Sequence, residues 1–129
     1  SYYWSVMSKL TGQNEAKKLI WNNVKKISKN NIIEVQDEIR DSLENAINEG
    51  KIFAVIPLAK WYLTIPKKPD YNNTYLWLSV ASALNLENTK KARNSVFKNV
   101  NKKMLPEIQK ESNDIYTNIM NLRNSKQME

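Results

Sequence analysis

The chain has 129 residues but no cysteine, no histidine, only two glycines and four prolines. Without cysteine, neither disulfides nor thiolate chemistry can operate, and the redox state of the compartment leaves no mark. Without histidine, the commonest general base and metal ligand is missing, which removes most hydrolase triads and zinc sites. So few glycines and prolines argue against a sandwich or barrel, whose many tight turns need them, and leave helix as the default. Long apolar runs are absent too. The longest stretch, Ile52 to Ile65, is far short of the roughly 20 residues a membrane span needs, and it contains Lys60. Carboxylate, Lys, Tyr or Ser chemistry is all that remains, so the reading is of a non-enzyme with no cofactor and no metal.

What the chain does have is charge and a period. Its formal net charge of +7 suits an acidic partner such as nucleic acid, anionic lipid or an acidic protein, depending on where the charges sit. Sliding the sequence by 73 positions lays residues 1–47 over residues 74–120 without a gap. Identical pairs then fall at Tyr2/Tyr75, Trp4/Trp77, Lys17/Lys90, Lys18/Lys91, Lys25/Lys98, Lys29/Lys102, Glu34/Glu107, Gln36/Gln109, Glu38/Glu111, Asp41/Asp114 and Asn45/Asn118. Composition alone would give roughly four. Apolar positions recur as well, among them Val35/Ile108 and Ala46/Ile119. We read one domain, 1–129, with an internal duplication of 1–47 and 74–120 joined by a linking helix and loop over 50–73.

Each copy reads as three helices. In the first, "SYYWSVMSKL" (Ser1 to Leu10) places Tyr3, Val6, Met7 and Leu10 on one helix face. The second helix spans about Asn14 to Ser28, and about Glu87 to Asn101 in the other copy; its lysines project opposite its apolar face. A third starts near Asn31, where Asn31 and Glu34 have capping-box spacing, and Gly50 stops it. Pro106 sits at the corresponding start in copy two, where a missing N–H costs nothing. The linker predicts a helix from Val55 to Thr64 that tolerates Pro57 only in its first turn, with a strand over Lys51 to Ile56 as the alternative. Pro66 and Pro69 make the next segment a loop.

The residues from Phe53 to Asn85 resemble the Sel-one-like repeat, a helix-turn-helix relative of the tetratricopeptide repeat. The likeness is carried by Ala54, Leu58, Ala59, Tyr62 and Leu63 in a first helix, Asp70 and Tyr71 ending a loop, and Tyr75, Trp77, Ala81 and Ala83 in a second. It covers one complete repeat. The loop departs from the pattern by lacking glycines, and Asn85 stands where Gly is usual. The resemblance implies an all-α fold: a short right-handed array of antiparallel helix pairs, an α-solenoid of about seven helices. It also implies a protein-binding scaffold, in the manner of bacterial envelope, host-interaction and secretion proteins, with a periplasmic or envelope setting ahead of a cytoplasmic one. "SYYWSVMSKL" is then the second helix of a repeat whose first helix is missing, so Ser1 is expected to mark a domain cut or processed end.

Three sets of residues are candidates for function, and each has a plainer reading. The lysines Lys17, Lys25, Lys90 and Lys98 could contact phosphates. More simply, they are solvated faces beside the acidic Glu34, Asp37, Glu38, Asp41 and Glu44, and a nucleic-acid role ranks well below this. Carboxylate pairs at i, i+4 (Glu34/Glu38, Asp37/Asp41, Glu107/Glu111) could form acid and base pairs, but a solvent-facing helix shows the same spacing. Aromatic residues are the better lead, since such side chains anchor interfaces. Tyr62 and Trp77 match packing positions of the repeat, which leaves Trp61, Tyr71 and Trp21 as partner contacts. The expected activity is therefore non-enzymatic binding of another protein in the grooves between units. A toxin-neutralising inhibitor or immunity protein is the first alternative, and a basic nucleic-acid or membrane-surface binder the second.

Overall fold

A computed structural model describes residues 32–128. The helices expected over Tyr2 to Leu10 and Asn14 to Ser28 lie outside the described residues, as do the candidate residues Lys17, Trp21 and Lys25. The described residues form five α-helices and no strand: α1 (Ile32–Asn48), α2 (Val55–Thr64), α3 (Tyr71–Ala83), α4 (Thr89–Phe97) and α5 (Leu105–Met128). Short 3-10 turns over Ile52–Ala54 and Lys102–Met104 lead into α2 and α5.

Local chemistry sets most of these boundaries. The segment weighed as a strand at Lys51 to Ile56 is instead the 3-10 turn running directly into α2. Pro57 is then the third residue of α2, where its absent N–H has no partner to lose. Asp70 caps α3, accepting hydrogen bonds from Asn73 N at 3.1 Å and from Asn73 Nδ2 at 2.8 Å. α1 and α3 end alike. Gly50 (φ +86°) donates to Ile47 O while Lys51 donates to Ala46 O. Asn85 (φ 60°) donates to Ser82 O while Leu86 donates to Ala81 O. Both ends thus turn out of the helix through one left-handed residue and satisfy the last carbonyls. Asn is the side chain that tolerates this conformation best after Gly, which suits it to position 85.

α4 is shorter than the expected Glu87 to Asn101. Asn88 is left-handed (φ 65°), so the helix cannot start before Thr89. At its other end Lys102 Nζ donates to Phe97 O and, at 3.0 Å, to Val100 O, while lying 4.2 Å from the Phe97 ring centroid. Lys102 therefore caps the end of a helix, where a cation also offsets the dipole.

α3 organises the packing. Thr74 through Leu78 and Val80 through Ser82 are all buried, and a helix buried all round belongs at the centre. α2, α4 and α5 each pack on it; α1 packs on α2 and also meets α5. Ala59 and Ala81, 1% and 0% exposed, leave room for close helix approach. The core joins Ile39 and Leu43 of α1 to Val55 and Leu58 of α2, Val80 of α3 and Ile119 of α5. Burial follows the 73-residue offset in part. Val35, Ile39 and Ala46 on α1 and their counterparts Ile108, Ser112 and Ile119 on α5 are buried, whereas Ile115, Tyr116 and Met120, the counterparts of the buried Ser42, Leu43 and Ile47, are half-buried.

Candidate functional site

Of the aromatic candidates, Trp61 is not free to meet a partner. It is 5% exposed, its indole N–H donates to Gln36 O at 2.9 Å, Arg40 lies 5.2 Å from its ring centroid, and Tyr62 meets it edge-on at 5.1 Å. The contacts with Gln36 and Arg40 fasten α2 to α1. Tyr71 is half-buried at the start of α3. Both residues border a depression of about 660 Å³ with Arg40, Lys68 and Asn72. Its polar groups are largely engaged already: Arg40 pairs with Asp37 (3.6 Å) and Asp41 (3.3 Å), and Asn72 Oδ1 accepts from Asn101 N at 3.0 Å. Tyr62 donates to Glu44 at 3.0 Å. Burial, then the nearby Glu44 carboxylate, push the Tyr62 phenol well above its ordinary range.

The carboxylate pairs do not converge on a cleft. Glu34, Glu38, Glu107 and Glu111 are exposed on helix surfaces, and Arg40 bridges Asp37 and Asp41. Among the described residues no group of three or more acidic side chains is placed to hold a metal ion. No described helix is long and apolar enough to cross a membrane. Lys90 on α4 and Lys98 just beyond its end are exposed and pair with no described carboxylate.

A second groove has a different character. It encloses about 560 Å³ between α2 and α4, with α3 as its floor. Ile56, Ala59 and Leu63 form one wall, Ala92, Ser95 and Val96 the other, and Thr74 and Leu78 lie beneath. α2 and α4 both pack on α3, and no described residue fills the space between them. Polar groups are few: Lys60 edges the α2 wall, and Glu87 and Asn88 close one end. Glu87 stands just before α4, where a carboxylate complements the helix N-terminus. A third depression, about 520 Å³, lies between α1 and α5 over Trp77.

None of the groove-lining residues stood out in the sequence as a site. The available signal was Ile56 and Leu63, two large apolar residues at i, i+7 on the side of α2 turned from α1, facing a helix that offers only Ala92 and Val96 in return. Comparison of the chain with family models, curated proteins and solved structures gives no match.

Proposed function

We propose that this chain is a non-enzymatic protein-protein interaction module, a short array of helix pairs of the Sel-one-like or tetratricopeptide-like kind, with the α2–α4 groove as its binding site. The observation that carries the reading is that groove. α2 and α4 wall it, its lining is mainly apolar, and no part of the described chain fills it. Such concave apolar clefts are the common form of a recognition site. The array arrangement draws support from the burial pattern partly shared by α1 and α5 and from the like endings of α1 and α3. A bacterial envelope setting rests on the resemblance alone.

The inhibitor alternative is favoured by one specific feature, the return of α5 to α1. Lys126 Nζ donates to Glu49 O at 2.9 Å, and such closure suits a compact body with one partner better than an open scaffold. Placing a photo-crosslinking amino acid at Leu63, with Asn113 on the exposed side of α5 as control, tests the reading in the cells that make the protein. A discrete protein adduct from position 63 and none from 113 is the expected result. Adducts from neither position, together with salt-sensitive retention on duplex DNA or anionic vesicles, would replace it with the basic-binder reading.

A further inference from the structure

We infer that the end of the molecule where the α2–α3 and α4–α5 loops meet docks on an anionic membrane surface, a second site that does not depend on the groove. Between Glu87 and Glu107 the sequence has six Lys or Arg residues and no acid. Lys98 and Lys103 of that stretch are exposed beyond the end of α4, and Lys67 and Lys68 are exposed in the loop between α2 and α3. The two loops adjoin. Asn72 Oδ1 accepts from Asn101 N at 3.0 Å, and Lys68 borders the same depression as Asn99 and Asn101. None of the four lysines pairs with a described carboxylate. The acids nearby are already engaged: Asp70 caps α3, Asp37 and Asp41 pair with Arg40 of the same depression, and Glu107 stands in the first turn of α5, where the helix N-terminus balances it.

Charge alone would suit any polyanion, and it is the apolar residues among the lysines that select a bilayer. Phe97 and Met104, 39% and 36% exposed, are two of the five large apolar residues exposed among the described residues. Lys102 holds this turn in place, donating to Phe97 O and Val100 O with its ammonium 4.2 Å from the Phe97 ring centroid. Tyr75 leans on the same ring at 5.7 Å. So flanked, Phe97 has little free face on which a nucleic-acid base could stack, and an exposed methionine offers a phosphate backbone nothing. Neither residue lines any of the depressions described above, so the pair projects from the surface and suits a fluid layer better than a protein knob. Both side chains can enter the boundary between headgroups and acyl chains while the lysines stay among the headgroups. Each lysine near an anionic surface strengthens binding about fivefold.

Sedimentation of the whole chain with vesicles tests this. Phosphatidylcholine vesicles containing phosphatidylserine should bind it and phosphatidylcholine alone should not, with binding falling as salt is raised. K98Q/K103Q and K67Q/K68Q should each weaken binding roughly 25-fold, with circular dichroism confirming the fold. K51Q, at the opposite end of α2, should change nothing. Because the chain has no cysteine, M104C can carry a single environment-sensitive fluorophore. Its emission should shift to the blue on phosphatidylserine vesicles, and that of N113C on α5 should not. No binding to these vesicles, binding indifferent to both lysine pairs, or an unshifted label at position 104 would overturn the inference. Tighter binding of duplex DNA or polyglutamate, with the same lysine sensitivity, would also overturn it and assign the patch to another polyanion. Crosslinks at Leu63 report on the groove alone, so either reading can fail without the other.

Discussion

Trp61 and Tyr62 each reach α1 by a hydrogen bond, but only the Tyr62 bond involves a titratable pair. Trp61 is sealed into the α1–α2 contact through Gln36 O and the Arg40 guanidinium, so its loss would be felt as lost packing. Tyr62 has its ring against Trp61 and its hydroxyl against Glu44 Oε1. Removing water from the phenol, and setting a carboxylate beside it, both disfavour the phenolate, so its folded pKa lies above the value near 10 of a free tyrosine. The sign follows from linkage. A raised folded pKa adds stability that is fully present below about pH 10 and is lost as pH climbs through the folded value. Urea unfolding between pH 8 and pH 11 should therefore show the stability advantage of the native chain over Tyr62→Phe shrinking above about pH 10. A constant difference across that range would mean the phenol is not held neutral by its surroundings. Arg40 acts in the opposite direction, since its charge lowers the Tyr62 value.

At the scale of elements, the two left-handed helix ends make a matched pair. Gly50 at φ +86° has a further constraint, because a Cβ built there would lie 3.3 Å from Leu122 Cβ. Gly50→Ala should thus cost the left-handed penalty of about 1–2 kcal/mol plus crowding against α5. Asn85→Gly relieves a strain already borne and should be neutral or stabilising by a few tenths of a kcal/mol. Thermal unfolding of both variants checks the contrast; equal shifts would deny that the two ends use the same backbone device. These endings also show how far the sequence could be read. α2 runs over the predicted Val55 to Thr64 because proline, apolar spacing and the following Pro66 and Pro69 all act locally. α4 is shorter than the sequence predicts because nothing in helix periodicity announces that Asn88 adopts a left-handed turn or that Lys102 folds back onto Phe97 O and Val100 O. Lysine spacing cannot separate a solvated residue from a capping one.

On the scale of the whole molecule, what the sequence conceals is the relation between elements far apart in the chain. The α2–α4 groove exists because two helices share a floor and leave a space between them, and no single helix's pattern encodes an unfilled space. Return of α5 to α1 is concealed for a similar reason. The 73-residue offset sets Arg123 over Gly50, so the position that ends α1 is helical in α5, and the helix continues to Met128. Those added turns bring Leu122 against Gly50 and Lys126 to Glu49 O, tying the last helix to the end of the first described one. Arg123→Gly should reverse that difference. Glycine within a helix costs about 1 kcal/mol relative to alanine, felt here in the final turns of α5. Amide hydrogen exchange should then rise over residues 123–128 and, through the lost Lys126 bond, over the end of α1 from Glu44 to Gly50, while α2 and α3 keep their protection. Arg123→Ala, which removes the side chain but keeps helix propensity, should leave the end of α1 protected. Faster exchange in α1 with both variants would assign the tie to the arginine side chain, and unchanged exchange with both would mean that α1 is held by α2 alone.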